Sequence, residues 1–198
     1  MYKRQTVTAT RPVSASAQVV GFIVIEFQSA ACNQAVQSVS TTWTSGTTTT
    51  QAITSVNTSN AILIYAGSNA AVTSNQGQAE QYVDLTNATT VTVHANTSSA
   101  NSKTFNFFVV EFALGVLHSA VQRGVTTLTA VTSNTSTISS VNTSKAMLNF
   151  LHYLASQATN NIANCATNAT LTNSTTVTAA RSGNTNNASL SWEVAEFN

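Results

Sequence analysis

One motif closes three stretches of this chain at a constant spacing. Gly21-Phe22-Ile23-Val24-Ile25-Glu26-Phe27 recurs as Phe107-Phe108-Val109-Val110-Glu111-Phe112 and again as Trp192-Glu193-Val194-Ala195-Glu196-Phe197, with the closing Phe residues 85 positions apart both times. Ser55-Val56-Asn57-Thr58-Ser59 returns unchanged at 140–144 with the same offset of 85. Leu85-Thr86-Asn87-Ala88-Thr89-Thr90-Val91 returns as Leu171-Thr172-Asn173-Ser174-Thr175-Thr176-Val177 with an offset of 86. Val36-Gln37 matches Val121-Gln122. Several blocks in one order near one offset define a repeat, and a repeat restricts the fold to one unit built more than once. The opening segment belongs to the same scheme. Thr6-Val7-Thr8-Ala9 up to Arg11 matches Thr176-Val177-Thr178-Ala179 up to Arg181, and a shift of 170 carries the match to Phe27 against Phe197. The chain therefore divides into a partial unit at 1–27 and two whole units at 28–112 and 113–198.

Each unit reads as short strands separated by turns. Of 198 residues, 34 are Thr, 24 Ser and 21 Asn, whereas Lys, Glu and Leu are scarce. Thr is β-branched and suits strands, Asn and Ser suit turns, and the missing residues are those that fill exposed helix faces. Strands are expected near 34–43, 50–56, 60–66, 79–85, 89–95 and 104–112. The second unit repeats them near 119–131, 136–141, 145–154, 169–172, 175–181 and 188–197. Ser45-Gly46, Gly67-Ser68-Asn69, Asn75-Gln76-Gly77 and Ser182-Gly183-Asn184 mark turns between them. Ala146 to Ala155 is apolar enough for a helix, but its counterpart Ala61-Ile62-Leu63-Ile64-Tyr65 is β-like, so both are read as strands. The expected fold is all-β: two tandem antiparallel β-sandwich repeats of about 85 residues, jelly-roll or Ig-like, preceded by an N-terminal β-hairpin arm. Alternation along the closing strand places Trp192, Val194 and Glu196 on one face and Glu193, Ala195 and Phe197 on the other. Phe107, Val109, Phe112, Trp192, Val194 and Phe197 are the expected repeat core.

Residues 5–11 and 18–27 read as a strand pair whose front half is absent. A lone hairpin cannot bury its apolar face, so Phe22, Ile23, Val24, Ile25 and Phe27 are expected to cap the first unit or complete a sheet in a neighbouring chain. Edge strands point the same way. Natural edges are often guarded by Lys or Pro, and this chain holds three Lys and one Pro. Self-association into a homo-oligomer is expected.

Charged residues make up 7 % of the chain and the net charge is +1, so no basic field draws a nucleic acid. Apolar residues reach 42 %, too many for a disordered chain. The longest apolar run, Val19 to Phe27, is nine residues and contains Glu26, against the roughly 20 that a spanning helix needs. A soluble protein without membrane contact is expected. Met1-Tyr2-Lys3-Arg4-Gln5 leads into Thr-rich alternation rather than an apolar core, so no signal peptide is read. Eight Asn-x-Ser/Thr triplets, among them those at Asn57, Asn87, Asn142 and Asn173, are read as unglycosylated turns. Cys32 and Cys165 have no CxxC or Cys/His spacing and are read as free thiols.

The titratable residues do not form a reactive constellation. Glu26, Glu111 and Glu196 share one repeat position, which points to a fold role: accepting backbone or Arg hydrogen bonds at a strand end, with Arg11, Arg123 and Arg181 as partners. Glu80 and Asp84 are four residues apart on one strand and Glu193 lies in the other unit, a poor basis for the facing carboxylates of glycoside hydrolysis. No Gly-x-Ser-x-Gly elbow and no phosphate-binding glycine loop occurs. His94, His118 and His152 lack metal-ligand spacing. No catalytic residue, metal or cofactor is expected. Aromatic rings could still stack on a sugar, and Trp43, whose repeat counterpart is Leu128, is the candidate ligand contact.

Val121-Gln122-Arg123-Gly124, Ser140-Val141-Asn142-Thr143-Ser144-Lys145, the 171–177 block and Trp192-Glu193-Val194-Ala195-Glu196-Phe197 together resemble the tandem β-domain repeats of tailed-bacteriophage virion proteins. The first unit departs from that pattern at Gln37-Ser38-Val39. The resemblance implies a virion location with assembly in the host cytoplasm. It also implies contacts with the major capsid protein or other virion proteins, and no catalytic residues. The expected function is capsid decoration or cementing through β-edge and arm contacts. A carbohydrate-binding or adhesin module on a tail fibre or cell surface is the alternative, and an extracellular β-filament subunit the third reading.

Overall fold

A computed structural model describes residues 27–44, 46–70, 80–95, 103–155 and 162–198. Across the described residues the protein is all-β, with three antiparallel sheets. The first unit contributes β1 (Gln37–Trp43), β2 (Thr48–Ala52), β3 (Ala61–Ala70), β4 (Gln81–Asn87), β5 (Thr90–Ala95) and β6 (Lys103–Glu111). The second contributes β7 (Gln122–Leu128), β8 (Ser133–Thr137), β9 (Ala146–Ala155), β10 (Asn168–Asn173), β11 (Thr176–Ala180) and β12 (Ala188–Glu196). A single helical turn, Ile162–Cys165, lies between β9 and β10. The sheet orders are β1-β6-β3, β10-β11-β8 and β2-β5-β4-β9-β12-β7. The last is six-stranded because β4 of the first unit meets β9 of the second at one pair, Tyr82 opposite His152.

The registers repeat with the sequence. Gln37 faces Val109 as Gln122 faces Val194, and Ala61 faces Glu111 as Ala146 faces Glu196. The hairpins β4–β5 and β10–β11 carry the same irregularity, after Leu85 and after Leu171. Asn supplies the turns. The Asn87 and Asn173 side-chain oxygens each accept a backbone N–H two residues on at 2.9 Å, and Asn57 and Asn142 do the same at 3.0 Å. Gln37 clamps Thr54 by both backbone groups, and Gln122 clamps Ser139 in the same way.

Three apolar clusters hold these sheets. In the first unit Leu63, Phe105, Phe107 and Val109 pack on Val83, Leu85, Val91 and Val93, so one face of β3–β6 lies on one face of β4–β5. Trp192, Val194 and Leu190 pack on Val177 and Ala179 in the second unit. The third cluster lies between the units, where Ile62, Val110 and Phe112 meet Leu117, Val121 and Ala195. Alternation makes this seam: residues one step along β6 and β12 from the core positions point to the opposite face.

Candidate functional site

The seam is built around an edge strand. β3 bonds to β6 on one side only, and its other edge would leave backbone groups without partners. Side chains of the second unit cap it. Glu193 Oε2 accepts the Leu63 N–H at 2.8 Å, Asn149 Nδ2 donates to the Leu63 carbonyl, and Arg123 donates to the carbonyls of Ala61 and, at 2.8 Å, Thr58. Arg123 Nε also donates to Glu193 Oε1 at 2.8 Å. Glu193 is 1 % exposed. Burial pushes its carboxyl above the usual range, and the Arg123 guanidinium and the Leu63 N–H pull it back. The first unit has Ser38, Ile64 and Phe108 at the positions equivalent to Arg123, Asn149 and Glu193.

Phe27, Phe112 and Phe197, the three closing residues of the repeat, touch in sequence order. The rings of Phe27 and Phe112 meet edge-to-face at 5.5 Å and 76°, and those of Phe112 and Phe197 at 5.4 Å and 85°. Phe27 thus stands to Phe112 as Phe112 stands to Phe197.

Where β4 crosses to β9, a cluster of titratable groups gathers. His152 has φ 76°, at a bulge whose first-unit counterpart, Gly67, has φ 122°. His152 Nδ1–H donates to the Gln81 carbonyl at 2.9 Å, and Nε2 lies 3.4 Å from Glu80 Oε2. The rings of Tyr65 and Tyr153 flank it at 4.8 Å and 4.7 Å. Burial raises the Glu80 carboxyl, with His152 opposing, and raises the Tyr153 phenol and the Cys165 thiol. Lys103, 1 % exposed, lies 4.9 Å over the Trp43 ring, and burial lowers its ammonium to about 8. A thiol held protonated by its surroundings is a weak nucleophile.

A groove of about 200 Å³ beside Glu193 is lined by Asp84, Leu85, Val125, Leu151 and Ser191. Its two carboxylates have structural partners: Glu193 is held by Arg123, and Asp84 is 2.7 Å from His94 Nε2. Among the described residues, no cluster of His, Cys, Asp and Glu is arranged to hold a metal ion.

Of the expected site residues, Phe22, Ile23, Val24 and Ile25 lie outside the described residues, as do Glu26 and Arg11. Phe27 is half-buried against Phe112. Phe107, Val109, Trp192 and Val194 are buried within their own units, whereas Phe112 and Phe197 belong to the seam between them. Trp43 as a surface contact is corrected: it is 0 % exposed, with Leu128 equally buried at the equivalent position, so neither ring face is open to a sugar. Glu111 and Glu196 each accept a backbone N–H, from Asn57 at 3.0 Å and Asn142 at 2.9 Å. The two described arginines serve elsewhere, Arg123 on Glu193 and Arg181 on the carbonyls of Val131, Asn164 and Leu128. Sequence reasoning missed the Arg123–Glu193–Asn149 cap. Its signal was the appearance of three polar residues where the first unit has Ser38, Phe108 and Ile64. No family model, curated protein or solved structure matches the chain.

Proposed function

We propose that this chain is a non-enzymatic structural protein of a virion, a capsid decoration or cement built as two tandem β-sandwiches behind an N-terminal hairpin arm. It assembles with copies of itself and with the particle through arm and β-edge contacts. The observation that carries this reading is the Phe27–Phe112–Phe197 run, in which one inter-unit contact recurs at nearly the same distance and angle. A contact that repeats from unit to unit is the geometry from which arrays grow. The titratable side chains support the reading too, because the acids of the groove and seam hold backbone groups, Arg123 and histidines rather than a vacant reactive centre.

Sedimentation and electron imaging of the purified chain test it, together with a variant lacking residues 1–27. Ordered oligomers that disperse when 1–27 is removed, with the remainder still folded, are expected. A parent chain that stays monomeric at every concentration and adds to no capsid overturns the reading. Binding on a glycan array by such a monomer would favour the adhesin alternative.

A further inference from the structure

We propose that Glu80 and His152 share one proton where β4 meets β9, and that this proton latches the two units together at that point. The joint is closed while the pair holds the proton and loosens when it leaves. The latch acts within one chain, whatever that chain assembles with.

The hydrogen-bond roles require that proton. A carbonyl only accepts, so His152 Nδ1, 2.9 Å from the Gln81 carbonyl, carries a hydrogen. In a neutral ring the other nitrogen then presents a lone pair, and Nε2 lies 3.4 Å from Glu80 Oε2. A lone pair against a carboxylate repels. One proton, on the imidazole or on the carboxyl, makes the contact attractive, so the two groups titrate as a pair. Burial raises the Glu80 carboxyl, which favours a proton held here, while His152, Tyr153 and Lys103 oppose it.

Two features tie the proton to the joint. Among the described residues β4 and β9 pair at one position, Tyr82 opposite His152, and the Nδ1–H bond to Gln81 lies beside it. The six-stranded sheet runs from one unit into the other at the place where the imidazole sits. His152 also stands at φ 76°, where the first unit has Gly67. A side chain at positive φ is disfavoured and persists where its surroundings hold it. The hold here is the ring itself, set between Tyr65 and Tyr153 and tied to Gln81 and Glu80. Once the proton leaves, Glu80 repels Nε2 and the ring loses one of those ties.

The neighbouring groups do not supply the same step. Burial raises the phenols of Tyr65 on β3, Tyr82 on β4 and Tyr153 on β9, and the thiol of Cys165 in the helical turn, so these stay protonated at neutral pH. Lys103 on β6 changes charge only near 8. Asp84 and His94, beyond Tyr82, hold each other at 2.7 Å. The connecting segments 71–79, 96–102 and 156–161 contain no titratable side chain.

NMR titration of the full chain between about pH 5 and about pH 9 tests this, with Glu80→Gln as the variant. A side-chain amide donates to the Nε2 lone pair, so the variant needs no shared proton. Its His152 midpoint should fall by about one pH unit or more, a tenfold loss of proton affinity, with His94 and His118 as references. The cross-strand nuclear Overhauser contact between Tyr82 and His152 should weaken in the parent above its midpoint and persist in the variant. A His152 midpoint that stays or rises overturns the shared proton. A parent contact of constant strength at every pH overturns the latch, and so does a contact that weakens alike in both chains. Circular dichroism checks the fold of the variant. Should it unfold, the parent decides alone: the Glu80 carboxyl carbon and the His152 ring must report one common upper step, and separate midpoints overturn the proposal.

Discussion

Gly124 lies flat against the indole of Trp192. The two are register partners across β7 and β12, and a Cβ on Gly124 would stand 2.9 Å from the ring's Cη2 and closer still to Cζ2. At the equivalent place in the first unit Val39 faces Phe107. The repeat fills the pair differently, small with large in one unit and medium with medium in the other. The indole also gains a partner: its N–H donates to Thr126 Oγ1 at 2.8 Å.

Gly124→Ala is therefore expected to destabilise the protein by about 1–3 kcal/mol, because the added Cβ meets the indole inside normal contact distance and the ring or the strand must shift. Gly124→Val together with Trp192→Phe rebuilds the first-unit pair. It should unfold in urea closer to the parent than the sum of the two single changes predicts, with a coupling of about 1 kcal/mol or more. Strict additivity would mean that the two positions do not share volume.

Removing the guanidinium of Arg123 strands a carboxylate that is 1 % exposed. Arg123→Ala should cost about 3–5 kcal/mol near neutral pH, the penalty for an unpaired buried charge. The sign with pH follows from the cause of the shift. Burial already lifts Glu193 above the ordinary carboxyl range, and loss of the cation lifts it further. The folded variant then holds a proton at pH values where the unfolded chain has lost it, so acid stabilises the variant relative to the parent. Urea midpoints of parent and variant should converge between pH 7 and pH 5. A gap that stays constant or widens would show that Glu193 is not the stranded charge.

Phe112 sits between two rings and is 1 % exposed, whereas Phe197 is half-buried and touches one. Phe112→Ala should cost about 3–5 kcal/mol. The same change at Phe197 should cost clearly less in thermal or urea unfolding. Equal costs would contradict the run of contacts along Phe27, Phe112 and Phe197.

Much of the fold was legible because it is written twice. The offset of 85 between Phe112 and Phe197 located the closing strands, and the β-like 61–65 segment decided the ambiguous Ala146–Ala155 run, which is indeed a strand. Alternation correctly set Glu193, Ala195 and Phe197 apart from Trp192 and Val194. The seam was not legible, because repetition describes what units share and the seam depends on where they differ. Arg123, Asn149 and Glu193 replace Ser38, Ile64 and Phe108, and their partner is the backbone of β3, which carries no sequence signature. Trp43 misled for a related reason. A position that changes from Leu128 to Trp looks like a surface specialisation, yet both residues fill one buried site, the larger one roofed by Lys103.

That roof fixes the alkaline behaviour of the protein. Lys103 titrates near 8 in the fold because burial disfavours its charge, against about 10.4 in an unfolded chain. Between those values the unfolded state holds the extra proton, so stability rises as pH increases from about 8, by at most about 1.4 kcal/mol per pH unit. Tyr65, Tyr82 and Tyr153 act in the opposite sense. Burial raises each phenol above its usual value, so from about pH 10 the unfolded chain loses protons that the fold retains, and stability falls. Urea unfolding as a function of pH should show a maximum between these two limbs. Lys103→Met keeps the apolar stem over Trp43 and removes the titrating head, so the rise above pH 8 should disappear while the fall above pH 10 remains. A variant that keeps the rising limb would show that the proton belongs to another group.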